Sequence, residues 1–237
     1  MPELPEVETI CDDLRKKIIN KKIVTVIVKK KNLIRNSILQ FKKRIINSRI
    51  VNISRRGKLI IISLSGDNNL LIHLKMTGQL IYKLKENITA GGHGLPSPEQ
   101  GMPNKYSHII FTFSDNSQLF FNDMRQFGYM VVVNENELYN ILNNNYGIEP
   151  GLPNFTLDNW LNILSNRMTT IKALLLNQKV IAGIGNIYAD EICHNAGIRP
   201  QRKVNKLTIV EKKRLWRSAK YIIKKAIKKE ALLFQIM

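Results

Sequence analysis

Cysteine is nearly absent from this 237-residue chain, where Cys11 and Cys193 are the only two. Thiols so far apart in sequence make neither a disulfide framework nor a four-cysteine zinc site, so both are expected to be buried and reduced. His194 beside Cys193 adds no second ligand pair, and neighbours on a helix point in different directions, so no metal site is expected there. Long apolar runs are missing too. No segment approaches the roughly 18 residues of a membrane-spanning helix, and no early apolar run follows a basic stretch, which argues against a membrane span and a signal peptide. A cytoplasmic protein is expected. Acidic residues are scarce: Lys and Arg number 37 against 18 Asp and Glu, a net charge of +19 with a pI near 10.0. That excess points to a polyanionic partner, most often nucleic acid. Lys, Ile and Asn all have AT-rich codons, so base composition is a second source for part of the charge.

Hydrophobic residues make up 44% of the chain, an ordinary globular share, and its length allows one large core or two smaller ones. Acid-rich Pro5–Ile19 reads as a capped helix. Ile23–Lys29, Ile50–Ser65, Leu70–Leu84, His108–Ser114 and Leu119–Val133 are rich in Ile, Val, Phe and Leu and are broken by turn signals such as Gly66-Asp67-Asn68-Asn69. They predict a mostly antiparallel two-layer sandwich. Thr89–Asn104, dense in Gly and Pro, reads as a surface loop without regular structure. Beyond Gly147-Ile148-Glu149-Pro150-Gly151 the pattern turns helical, over Leu157–Leu164, Thr170–Asn177, Ile187–Ala196 and Leu207–Lys229. The fold class is therefore α+β: a β-sandwich domain over 1–133, a hinge over 134–152 and a helical domain over 153–237.

Several short strings carry chemistry. If Met1 is removed, Pro2 presents a free secondary amine, a nucleophile no internal proline can offer, with the carboxylates of Glu3 and Glu6 within one turn. Prolines and acids also suit a helix start, which accounts for the residue types but not for their order at the N-terminus. Arg55-Arg56-Gly57-Lys58 reads as a basic turn between strands. His73-Leu74-Lys75-Met76-Thr77-Gly78 interrupts a strand, with Met76 in a position that is ordinarily core. Asp123-Met124-Arg125-Gln126-Phe127-Gly128 sets a cation and an aromatic two apart, on one face if the segment is extended, suited to phosphate neutralisation and insertion into a base stack. Gly183-Ile184-Gly185-Asn186 leads into a helix, where its backbone amides could meet a phosphate; the same string also suits a plain helix-turn-helix.

Together, and in this order, these strings resemble the formamidopyrimidine-DNA glycosylase family over Met1 to about Lys229. The Pro-Glu-Leu-Pro-Glu opening is closer to that branch than to the endonuclease VIII branch. The resemblance implies a β-sandwich lobe, a hinge and a helix-two-turn-helix lobe. It also implies excision of oxidised purines such as 8-oxoguanine and formamidopyrimidines, followed by cleavage at the abasic site through a Schiff base on Pro2. In that scheme Pro2 attacks C1′, Glu3 donates a proton to the opening sugar, Lys58 contacts phosphate and Glu6 orients the N-terminus. Met76, Arg125 and Phe127 fill the vacated stack, and Arg167, Lys172 and Asn186 hold the backbone. The implied partner is double-stranded DNA with oxidised bases or abasic sites, bound by a bacterial, nucleoid-associated monomer.

Departures from the family are local until the C-terminus. Tyr106 replaces a DNA-contacting histidine, and Met124 and Gln126 replace the usual proline and arginine around Arg125. Family members continue beyond Lys229 into a Gly-Gly segment and a four-cysteine zinc finger. Here Glu230–Met237 stands instead, so no zinc and no other cofactor is expected. Apolar Leu232, Leu233 and Phe234 are expected to form a loose tail. The alternative function is thus a frameshift-truncated, catalytically impaired DNA-binding remnant. Reverse-translating Lys229–Met237 and reading from the third base permits Gly-Gly-Ser-Thr-Phe-Ser-Asp-Tyr, the family's continuation. The gene's downstream DNA, read in that frame, is expected to encode a Cys-x-x-Cys pair; sequence without one refutes the frameshift.

Overall fold

A computed structural model describes residues 1–85, 87–92 and 101–236, with the side chains of 90 and 230–236 left out. Two compact units divide the chain: Met1–Pro2 with Glu6–Tyr139, and Glu3–Pro5 with the chain from Asn140 onward.

Among the described residues, the first unit holds nine strands in two antiparallel sheets. These are β1 (Ile23–Val28), β2 (Ile50–Arg56), β3 (Leu59–Leu64), β4 (Asn68–His73), β5 (Gly78–Leu84), β6 (Asn87–Gly92), β7 (Ser107–Phe113), β8 (Gln118–Asp123) and β9 (Tyr129–Asn134). Their spatial order is β1-β7-β8-β5-β6 in one sheet and β2-β3-β4-β9 in the other. Val26, Leu80, Ile109, Phe111 and Phe121 from the first pack with Ile53, Ile60, Ile62, Leu70, Ile72 and Val132 from the second in one core, as the sandwich reading requires. Helix α1 (Leu4–Ile18) adds Val7, Ile10, Cys11, Leu14 and Ile18 to that core, a stripe with helical spacing. Polar contacts fix α1 on β2: Glu8 pairs with Arg55 at 2.6 Å, and Arg15 donates from Nε to the Ile53 carbonyl at 2.6 Å. Cys11 is buried and free, and desolvation pushes its thiol up to about 12, which makes it inert.

Three local readings change. The Gly/Pro-dense stretch is partly regular, because β6 pairs along β5 from Leu84↔Asn87 to Gln79↔Gly92; 93–100 lie outside the described residues. A helix also forms at α2 (Ile38–Ile45), capped by the Ser37 side chain and burying Phe41 and Ile45. Within 134–152, helix α3 (Glu135–Asn145) starts at a reciprocal cap between Asn134 and Glu137, both bonds 2.8 Å. None of its side chains is fully buried, and its apolar residues at helical spacing, Leu138, Ile141 and Leu142, are half-buried.

In the second unit, α4 (Leu157–Leu164), α5 (Ile171–Leu176), α6 (Asn186–Asn195) and α7 (Ile209–Ile236) surround a core that includes Leu4. Thr156 and Thr170 cap α4 and α5, and Thr208 with Glu211 forms the capping pair of α7. The backbone of α7 stays helical as far as Ile236, so the loose tail expected over Leu232, Leu233 and Phe234 is instead the last turns of a helix. Trp160 anchors α4 to α7: it is fully buried, tilts against Phe155 with ring centroids 5.6 Å apart, and donates from Nε1 to the Lys212 carbonyl at 3.0 Å. Trp160→Ala is expected to cost about 3–5 kcal/mol, from the cavity and the orphaned carbonyl, read as a lower urea midpoint.

Candidate functional site

In the first unit, strand register gathers the sequence-singled residues at one end of the sandwich. Leu59, His73 and Tyr129 lie in one row across β3, β4 and β9, and Gly78 opposes Asp123 across β5 and β8. The segments just outside those rows therefore share that end: Lys58 before β3, Met76 between β4 and β5, Tyr106 before β7, and Met124–Gly128 between β8 and β9. Lys58 is 4% exposed, whereas Met76 and Phe127 stand 41% and 53% exposed, which removes the core reading for Met76. Arg125 is also exposed and lies over the Phe127 ring, 4.6 Å from its centroid. That contact does not come from an extended segment. Gln126 adopts a left-handed φ of 55°, so Met124–Gly128 folds as a turn and brings its cation and aromatic together that way.

The carboxylate of Asp123 underlies this turn. It accepts from the Thr77 hydroxyl, from Arg125 N–H at 3.2 Å and from Gly128 N–H at 2.7 Å. Tyr106 is half-buried; its N–H donates to Asn104 Oδ1 at 2.9 Å and its carbonyl accepts from Asp123 N–H at 3.2 Å. Three further groups at this end have no role assigned from the sequence motifs, although His73 and Lys75 lie within one of them. Arg35 stacks on Tyr129, 3.2 Å from the ring centroid, and Lys75 lies 5.9 Å from it. His73 accepts from Lys75 N–H at 3.0 Å, and burial, with Lys75, Lys58 and Arg35 nearby, pushes its pKa down to about 3. It is a neutral imidazole among cations. The register row beginning at Leu59 could have pointed to it; spacing along the chain could not.

Pro2 is buried, and with Met1 in place its nitrogen is an amide. Glu6 is half-buried in the first turn of α1.

In the second unit, Glu3 is 4% exposed and its carboxylate receives the N-terminal amides of α6: Gly185 N–H at 2.6 Å, Ile187 N–H at 3.0 Å and Tyr188 N–H at 3.4 Å. Leu4 N–H donates to the Gly183 carbonyl at 3.1 Å beside it. Gln178 braces the loop from within, accepting from Gly183 N–H at 2.9 Å and donating to the Ile184 carbonyl at 2.8 Å. The glycines before α6 therefore serve a different anion from the one their sequence suggests. A side chain at Gly185 would collide with the Glu3 carboxylate, so that glycine admits Glu3 where a phosphate was expected. Asn186 opens α6 and is exposed. Lys172 reaches α6 one turn later, through an ion pair with Asp190 at 2.7 Å. Arg167 is held separately, its Nε donating to the Ile163 carbonyl at 2.7 Å.

The contacts of Glu3 generate a structural expectation. Glu3→Gln keeps the shape but loses the anion at a helix N-terminus, and should cost about 1–2 kcal/mol. Faster amide hydrogen exchange over 185–190 is the readout; unchanged exchange there would rule out the capping role.

Residues 1–130 match the formamidopyrimidine-DNA glycosylase N-terminal domain, and residues 146–236 match the formamidopyrimidine-DNA glycosylase H2TH domain. The formamidopyrimidine-DNA glycosylase of Wolbachia pipientis subsp. Culex pipiens is 41% identical over 216 residues, 91% of this chain and 74% of that protein. That of Pelotomaculum thermopropionicum is 40% identical over 229 residues, 96% of this chain and 78% of its own length. Among solved structures, the Lactococcus lactis Fpg in complex with an abasic site containing DNA superposes with a TM-score of 0.85 at 31% identity, covering 95% of this chain and 78% of that one. Its complex with an N7-benzyl-Fapy-dG containing DNA superposes equally well, at a TM-score of 0.85. With both domains matched and relatives near 40% identity over almost the whole chain, this protein belongs to the formamidopyrimidine-DNA glycosylase family.

Proposed function

We propose that this chain removes oxidised purines, 8-oxoguanine and formamidopyrimidines, from double-stranded DNA and then cleaves the abasic strand. The observation that carries this reading is the pair at the N-terminus. Removal of Met1 turns the buried Pro2 nitrogen into a secondary amine, and the next residue, Glu3, is fixed by three backbone N–H groups. In the proposed reaction the amine's lone pair forms a bond to C1′ while the glycosidic bond breaks, and the base leaves with that electron pair and gains a proton. Glu3 takes the remaining N–H proton from the alkylated Pro2 nitrogen and passes it to the sugar-ring oxygen as the C1′–O bond breaks, leaving an iminium between Pro2 and C1′. Water or a nearby base then takes a C2′ proton, the C–H electron pair moves into the iminium, and the 3′ C–O bond breaks with its electron pair leaving on the phosphate. Lys58 is assigned to the phosphate at the reacting nucleotide, and Glu6 to orienting the N-terminus.

The lesion has to leave the stack to reach Pro2, and something has to fill the gap. The proposed fillers are exposed Met76, Arg125 and Phe127, with the Arg125 charge near phosphate and the Phe127 ring against bases. Tyr106, Arg167, Lys172 and Asn186 are assigned to the DNA backbone. The net charge of +19 supports a strongly salt-dependent affinity. The second reading is a DNA-binding relative of the same family that holds damaged duplex without chemistry.

Borohydride reduction on an 8-oxoguanine duplex separates the two readings, since hydride fixes the iminium as a stable amine. A covalent adduct is expected with the wild-type chain, and none with Pro2→Gly carrying a retained Met1. No wild-type adduct at low salt, where binding is tightest, would leave only the binding reading.

A further inference from the structure

We infer that Asp123 is a positioning residue for base extrusion, its buried carboxylate locking the Met76 turn and the Arg125–Phe127 turn into one rigid wedge. The inference rests on the stack-filling role proposed above and goes beyond it, because Asp123 itself faces away from solvent and touches no DNA in this scheme. It is 0% exposed and ends β8, opposite Gly78 of β5.

The two turns leave different strands and share no residues. The first is closed by Gly78 N–H donating to the Leu74 carbonyl at 2.9 Å, with Lys75 at a φ of 51°. The second carries Gln126 at a φ of 55°. Left-handed backbone at residues other than glycine persists only where the surroundings fix it. Asp123 supplies that fixing on both sides. One oxygen takes the Thr77 hydroxyl from the Met76 turn and Arg125 N–H from the other; the second takes Gly128 N–H at 2.7 Å and so closes the Phe127 end. Thr77 completes the link, its hydroxyl oxygen also accepting from Arg125 N–H at 3.0 Å. Space admits no looser arrangement: a Cβ on Gly128 would sit 2.7 Å from Phe121 Cζ and 3.0 Å from Asp123 Oδ2. From behind, His108 Nε2 bonds the Asp123 carbonyl at 2.9 Å.

The chemistry requires a carboxylate. Its three partners all donate, and an amide in its place turns an NH2 group towards at least one of them. Thr77 requires a hydroxyl, because a methyl neither donates to Asp123 nor accepts from Arg125. The exposed tips would survive either change in composition while losing their fixed spacing, and misplacement on this scale slows a step by about 10- to 100-fold.

The test uses 2-aminopurine beside an 8-oxoguanine in duplex DNA, whose fluorescence rises as its stack is opened. Stopped-flow traces are compared for wild type, Asp123→Asn, Thr77→Val, Thr77→Ser and Phe127→Ala. The expected result is a rise slowed about 10- to 100-fold in Asp123→Asn and Thr77→Val, restored in Thr77→Ser, with affinity for undamaged duplex held at the wild-type value and every trace taken well below the thermal midpoint, which Thr77→Val lowers by losing its buried hydroxyl. If Asp123→Asn does not fold, the two Thr77 variants decide the matter. A wild-type rise in Thr77→Val together with loss of the rise in Phe127→Ala overturns the inference and leaves the wedge standing. A wild-type rise in Phe127→Ala overturns the wedge itself.

Discussion

Glu3 has one place to put its charge, and the chemistry proposed for the N-terminus depends on it. A buried carboxylate needs donors for both oxygens, and the first amides of a helix are donors without partners of their own. In the second unit the two needs cancel: Glu3 settles on Gly185, Ile187 and Tyr188 N–H, with Leu4 N–H on the Gly183 carbonyl beside it. The contact closes a loop of 182 residues along the chain. A chain terminus is ordinarily the least ordered part of a domain, so a nucleophile placed there requires a tether of this kind.

The first unit solves a similar problem with Asp123. Its exposed side chains, Met76, Arg125 and Phe127, sit on turns and not on strands, and turns have few internal bonds to hold them. A single carboxylate at 0% exposure gathers the donors of both turns and links them to the sheet. Close by, the neutral His73, with its pKa near 3, adds no charge to a surface already carrying Arg35, Lys58 and Lys75. Neutrality there limits self-repulsion among cations.

Much of this architecture is legible from local pattern. Alternation and turn residues place all strands but β6, and apolar spacing with Thr caps places α4 to α7 within two residues at their starts. The elements that escape are those whose pattern is weak or contradicted. Strand β6 runs through Thr89 to Gly92, where glycine signals a loop and pairing with β5 overrides it. Helix α3 fully buries no side chain. In the candidate site, the tips Met76, Arg125 and Phe127 stand out in short motifs; Asp123, Thr77 and His73 lie in the same strings without a readable role, and Gln178 lies in none. Each acts through a partner distant in sequence, as Thr77 does with Asp123 across 46 positions.

Sequence alone determined the family, through short motifs and their order along the chain, and the polycationic character, through a large excess of Lys and Arg. It also set the division into a strand-rich part and a helix-rich part, because periods of 2 and 3.6 are written along the chain. Tertiary structure decided what each polar group touches. It gave the α6 amides to Glu3 where a phosphate was expected, turned Arg125 and Phe127 onto one another through the left-handed Gln126, and buried Asp123 beneath them. Those outcomes depend on satisfying donors and acceptors that meet only once the sheets and helices have packed, a constraint no local pattern contains.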